Sequence, residues 1–285
     1  MSDSVTSTTE EPELIDLVKR GLRWSFAGMF AVRVGTFAAG LIMARILSPH
    51  DYGIYTVGAV ALLLTASIND IGIEPTLVRW PGKLKEVAPT AATIVMTSSV
   101  LLFITFWFFA PDFARMLNAP GATNIVRFMS VGIIISGAFT VPSAINAREF
   151  RQHVRMIGEV GGTIITIGLT LVLGLAGFGP VSLAVGHIAG NLTVGLVLFV
   201  GSPSHFRPGW DFSAAKKLIV LGLPLAGVVL IGNAIQNVDY LVVGSVLSTT
   251  ALGYYMLAWN LSSWPINPAT ARRSASTRWA APTAS

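Results

Sequence analysis

Apolar runs of about twenty residues, broken by short polar stretches, set the pattern of this chain. They fall at about 24–47, 54–78, 88–110, 125–145, 157–176, 180–200 and 218–246, with a shorter one at 253–267. A helix needs about 20 apolar residues to cross a ~30 Å hydrocarbon layer, so each full run predicts one membrane span. The first run ends near Leu47, because Pro49 cannot continue a helix and disfavours helical geometry in the residue before it. A polar turn, Ser48-Pro49-His50-Asp51, follows, and Tyr52-Gly53 opens the second run. The same passage recurs 200 residues on, where Leu41, Leu47, Ser48, Gly53 and Tyr55 match Leu241, Leu247, Ser248, Gly253 and Tyr255 in one register. That register predicts an internal repeat of a multi-helix unit.

The fold class that follows is an all-α polytopic membrane protein. A six-helix transmembrane bundle at 24–200 is joined by a linker at 201–217 to the start of a second, repeated bundle at 218–267. A polar tail at 1–23, rich in Ser, Thr and Glu, cannot bury a core, and the Ala/Ser/Thr/Arg stretch at 268–285 reads as disordered. Composition agrees: 53% of residues are hydrophobic and 12% charged, where a soluble domain carries roughly 25% charged residues. The absence of cysteine excludes disulfides, thiolate metal sites and cysteine nucleophiles.

Charge placement says more than the net charge of +5. With the N-terminus inside, twelve Lys and Arg fall in inside segments, among them Lys19, Arg20, Arg23, Arg148, Arg151, Arg155, Lys216 and Lys217. Three (Arg115, Arg45 and Arg127) fall in or beside outside turns. The bias predicts a cytoplasmic N-terminus and cytoplasmic loops near Gly82, Gln152 and Ser204.

Three stretches, ARILSPHDYGIYTVGAV, NDIGIEPTLVR and NVDYLVVGSVLSTTALGYYMLAWNL, resemble the polysaccharide-type exporters of the multidrug/oligosaccharidyl-lipid/polysaccharide superfamily. The likeness is to the branch of lipopolysaccharide and O-antigen repeat-unit flippases and covers about residues 14–266. It implies two six-helix bundles facing each other around a central cavity in the bacterial inner membrane. It further implies transport of an undecaprenyl-pyrophosphate-linked oligosaccharide by alternating access. The apolar pattern stops after Ile266, so the expectation is a chain truncated after its first bundle, transporting only when further spans are supplied in cis or by a second chain.

Polar groups inside the spans carry the candidate chemistry, since a buried charge there costs at least ~2.5 kcal/mol and needs a partner or a watery cavity. Arg33 lies roughly 13 Å along its helix from Trp24, and Asp70 roughly 12 Å from the same face of the membrane. Glu74 stands four residues after Asp70, on the same helical face. On the family resemblance Arg33 attracts the pyrophosphate, while Asp70 or Glu74 takes the coupling proton or cation. The structural alternative is an Arg33–Asp70 pair that holds the first two helices together. In the seventh span Asn233, Gln236, Asn237 and Asp239 occupy about 160° of one face, suited to sugar hydroxyls or to helix–helix hydrogen bonds. Glu159 reads as an i,i+4 partner of Arg155. His187, between Gly186 and Gly190, reads as close helix packing or a proton relay.

No metal-ligand spacing, phosphate loop or nucleophile–base pair is present, so neither an enzyme nor a cofactor is expected. The partners expected are lipid-linked oligosaccharide and membrane lipids, with no nucleic acid. Two other readings stay open: a drug or cation exporter of the same superfamily, and a non-functional or partner-dependent half.

Overall fold

A computed structural model describes residues 34–69, 72–202 and 209–262. All regular structure among the described residues is helical. In chain order the helices are α1 (Val34–Ile46), α2 (Pro49–Asn69), α3 (Ile73–Val78), α4 (Leu84–Met116), α5 (Thr123–Arg148), α6 (Gln152–Leu175), α7 (Pro180–Val200), α8 (Phe212–Val246) and α9 (Thr249–Ser262). The helices α4 to α8 are each long and apolar enough to cross a membrane. Arg33 and Asp70 lie outside the described residues, as do the tails, the start of the first run and positions 203–208.

The helices α4 to α8 follow the apolar runs from 88–110 to 218–246, while the run at 54–78 differs. The run at 54–78 is two helices, because the backbone at Gly72 turns left-handed, with φ 67°. Glycine also fits there for room, since a Cβ would stand 2.1 Å from the carbonyl oxygen of Gly222 on α8. Just before the break, Asn69 is 1% exposed; its amide donates to the Ile133 carbonyl at 3.4 Å and its oxygen accepts from Ser99 at 2.7 Å. Glu74 lies on α3, beyond this break; its expected shared face with Asp70 falls outside the described residues. Pro75 sits in the first turn of α3, where a missing N–H leaves no intrahelical bond unmade.

Small residues bring α6 and α7 together as a hairpin. A Cβ on Gly186 or Gly190 would stand 2.0 or 1.9 Å from the hydroxyl oxygens of Thr170 and Thr166. That is close packing by small residues, the usual contact where lipid offers no hydrophobic drive for association. One apolar core joins Ile73 and Leu77 of α3 to Val95, Ile145 and Leu218; another joins Val57 and Val60 of α2 to Phe113, Val126, Tyr240 and Leu252. Both ends of α8 thus pack against earlier helices, through Leu218 and Tyr240.

At the basic ends of the helices the arginines are engaged. Arg148 donates to the carbonyls of Leu77, Trp80 and Gly82 at 3.3, 2.6 and 3.1 Å, closing the end of α3. Arg151 donates to Gly201 at 3.0 Å and pairs with Glu149; Arg155 pairs with Glu159 at 2.9 Å, as the i,i+4 spacing predicts. Asp211 caps α8 by accepting from Ser213 N at 2.8 Å.

The two copies of the repeat have the same local geometry. Leu47 N–H donates to the Met43 carbonyl at 2.8 Å, and Leu247 to Val243 at 3.0 Å; Tyr52 donates to Ser48 at 3.2 Å, and Leu252 to Ser248 at 2.9 Å. They also cross each other. A Cβ on Gly53 would stand 1.8 Å from the Thr249 carbonyl oxygen, and one on Gly253 would stand 1.8 Å from that of Pro49. Residue 49 of one copy thus meets residue 53 of the other in both directions, the reciprocal pattern of a two-fold contact. Thr56 Oγ1 contacts Met256 Sδ at 2.7 Å, again a pair 200 apart.

Candidate functional site

Beneath that crossing lies a cavity of about 670 Å³, walled by α1, α2, α6, α7 and α9. Thr36, Gly40 and Met43 come from α1, Tyr52 and Tyr55 from α2, Thr166 and Thr170 from α6, and Tyr254, Met256 and Asn260 from α9. The walls are chiefly apolar, with hydroxyl and amide groups spaced along them. The described lining residues carry no formal charge. Such a cavity, with few polar groups in an apolar surround and helices of both repeats contributing, has the character of a ligand site. Arg33 precedes Thr36 by three residues in the sequence.

The polar row on α8 is divided between two neighbours. Asn233 and Asn237 border a space of about 20 Å³ against Val60, Leu63 and Leu64 of α2, and the Asn237 amide donates to the Asn233 carbonyl at 2.8 Å. Asp239 turns to α9, where its Oδ2 accepts from the Tyr255 hydroxyl. Its Oδ1 is buried without a hydrogen-bond partner. Tyr255 stands edge-on to Tyr240 at 5.3 Å and stacks on Trp259 at 6.3 Å. Gln236 is exposed. The four residues therefore do not line one described cavity together.

Glu74 borders a second chamber, of about 250 Å³, between α5 and α7. Ser143 donates to its Oε1 at 2.7 Å, and Ser136, Thr140 and Asn191 line the same chamber. The Asn191 amide nitrogen lies 3.0 Å from His187 Nε2, and the His187 ring stands 6.5 Å from that of Tyr55, which faces the larger cavity.

A family model described as "Polysaccharide biosynthesis protein" matches residues 42–276. The chain belongs to that family. Its sequence is similar to the lipopolysaccharide biosynthesis protein WzxC of Escherichia coli (strain K12), 22% identical over 88% of this chain and 52% of the relative. It is similar to the succinoglycan biosynthesis transport protein ExoT of Rhizobium meliloti (strain 1021), 26% identical over 87% of this chain and 50% of ExoT. An uncharacterized membrane protein in the cps region of Klebsiella pneumoniae is 19% identical over 87% of this chain and 51% of its own length. The chain spans about half the length of the curated relatives it matches. No solved structure matches it.

In this member of the family the cavity tyrosines, Tyr52, Tyr55 and Tyr254, were not singled out by sequence as cavity residues. A usable signal was there: two of them flank Gly53 and the third adjoins Gly253, so the repeat itself marks the helices that meet. Ser143 carried no signal, because a serine in a membrane helix more often bonds its own backbone.

Proposed function

We propose that this polysaccharide biosynthesis family member carries undecaprenyl-pyrophosphate-linked oligosaccharide across the inner membrane, from its cytoplasmic to its outer leaflet. The observation that carries the reading is the cavity shared between the two repeats, with hydroxyls and an amide for sugar contact. The chain's similarity to WzxC, a lipopolysaccharide biosynthesis protein, and to ExoT, a succinoglycan biosynthesis transport protein, supports it. Arg33, one turn ahead of Thr36 in sequence, attracts the pyrophosphate, and Gln236, Asn233, Asn237 and Asp239 add sugar contacts as the bundles move. Asp70 or Glu74 takes the coupling ion. The positive-inside count supports a cytoplasmic N-terminus. The work is binding and reorientation, with no bond made or broken. Its partners are the lipid-linked oligosaccharide, membrane lipids and, in the alternative reading, a second chain that adds spans.

An exporter of organic cations would place carboxylates in the cavity wall; the described lining supplies hydroxyls and an amide instead. The test is translocation of a fluorescent undecaprenyl-pyrophosphate oligosaccharide in vesicles containing the chain with further spans supplied in cis or by a second chain, read by quenching from outside. The expected result is passage well above protein-free vesicles, abolished by Arg33→Ala and partly kept by Arg33→Lys, which retains charge without the planar fork. Equal passage with and without the protein contradicts the reading.

A further inference from the structure

The two repeats treat their shared tyrosine differently. In the second, the Tyr255 hydroxyl donates to Asp239 on α8. In the first, the register of 200 residues places Ala39 where Asp239 stands, opposite Tyr55. A methyl group cannot accept that bond, so the first repeat keeps the phenol and lacks its carboxylate. Ala39 and Tyr55 both line the cavity between the repeats. Tyr52 lies three residues before Tyr55, on the same side of α2, and lines the cavity as well. Its counterpart in the second repeat is Leu252.

Tyr52 and Tyr55 are 4% and 8% exposed. Among the described residues neither hydroxyl has a hydrogen-bond partner. Buried hydroxyls are nearly always paired, so theirs must find a partner in what enters the cavity. The threonines of the opposite wall are turned to α7 instead. Thr170 donates to the Ser182 carbonyl at 3.4 Å, and a Cβ on Gly190 would stand 1.9 Å from Thr166 Oγ1.

We propose that Tyr52 and Tyr55 form a subsite for a neutral hexose ring, opened in the first repeat by alanine at position 39. A phenol both donates and accepts, as a sugar hydroxyl does, so two phenols on one helix face can hold neighbouring hydroxyls of one ring. Met43, Leu183 and Met256 of the same cavity offer apolar surface to the C–H face of the ring. The absence of charge from the described lining sets the class of sugar. A uronic acid would bring a carboxylate into an apolar wall with no described cation beside it, and an unpaired buried charge is costly. Had the first repeat kept an acid at 39, the Tyr55 hydroxyl would be taken and the wall would be negative. Alanine removes both obstacles at once.

The use of this subsite in transport rests on the carrier reading, but sugar binding there does not. The test places 3-fluorotyrosine singly at position 52, at 55 or, for comparison, at 240 in the full chain, held in lipid nanodiscs. Fluorine NMR then follows titration with decyl β-glucoside, decyl β-glucuronide or decanol, each below its aggregation limit. The glucoside should shift the signals from 52 and 55 to saturation and leave 240 unmoved. The glucuronide should bind about tenfold more weakly or worse. Tyr52→Phe and Tyr55→Phe, read from the label at the other position, should each weaken glucoside binding about threefold to tenfold, the loss of one hydrogen bond. Ala39→Asp gives the first repeat the acid of the second. It should shift the signal from 55 without any sugar and abolish the glucoside response, and the uncharged Ala39→Asn should weaken that response. Signals at 52 and 55 that no glycoside moves overturn the proposal, since water alone would then fill the cavity. So does an equal response to decanol, which would make the cavity an apolar one, or a glucuronide bound as tightly as the glucoside. Glucoside binding without translocation of the lipid-linked glycan would count against the carrier reading alone.

Discussion

The two copies of the repeat, 41–56 and 241–256, build the same turn in unlike surroundings. In the first copy Ser48 and Asp51 form a reciprocal cap: Asp51 N–H donates to Ser48 Oγ at 3.2 Å, while Ser48 N–H and hydroxyl reach Asp51 Oδ2 at 3.2 and 2.7 Å. In the second, Ala251 N–H donates to Ser248 Oγ at 3.2 Å, and the alanine methyl cannot accept a bond in return. Leu47 is 6% exposed and Leu247 58%. Yet Gly53 and Gly253 meet the other copy's backbone at the same distance. Each shared tyrosine also faces a polar group of its own bundle, Tyr55 beside His187 and Tyr255 on Asp239. The features the copies share are those that the mutual contact requires; burial and capping strength differ with local surroundings.

The largest effect should come from filling the crossing. Gly53→Val or Gly253→Val puts carbon where a backbone oxygen stands, and should destabilise by ~3 kcal/mol or more, the upper end of overpacking. Each should also part α2 from α9. Unfolding in graded denaturant detergent would read the loss. Gly40→Ala is the control: a Cβ there meets nothing within 4 Å, so the change should be neutral or stabilise by up to ~1 kcal/mol through helix propensity.

Next in size is the asymmetry of the two leucines. Leu47→Ala should cost ~2–5 kcal/mol as a buried truncation, whereas Leu247→Ala should stay within ~0.5 kcal/mol as an exposed one. Equal costs would mean that Leu247 is covered in the working protein. The smallest effect concerns the caps. Ser48→Ala should lose ~1 kcal/mol, and Ala251→Asp should gain ~0.5 kcal/mol by restoring the acidic half of the cap and complementing the helix dipole.

The spans were legible because apolar length is a property of the sequence itself, and α4 to α8 follow the runs closely. The repeat was legible as a register, but five identities do not say that the two copies touch. That depended on Gly53 and Gly253 having no side chain at the crossing. The break after Asn69 was missed because the apolar run carries on through it; Gly72 and Pro75 were the local signals, and the room for Gly72 is set by α8, about 150 residues away. Helical angles put Asn233, Gln236, Asn237 and Asp239 within about 160° around α8, yet Gln236 is exposed. They could not say that α2 would take two of them and α9 another. Arg148 read as a topology determinant; its guanidinium also closes the end of α3, a use that depends on where three carbonyls come to lie.

The central claim is that the cavity between the two repeats receives a lipid-linked glycan. A photoreactive benzoyl-phenylalanine in place of Tyr254, in the cavity wall, tests it in cells that make such a glycan, with the same residue at the exposed Ile164 of α6 as comparison. On illumination the cavity position should give an adduct that carries both the polyprenyl pyrophosphate and sugar, and Ile164 should give phospholipid adducts only. Phospholipid alone at both positions would contradict the account.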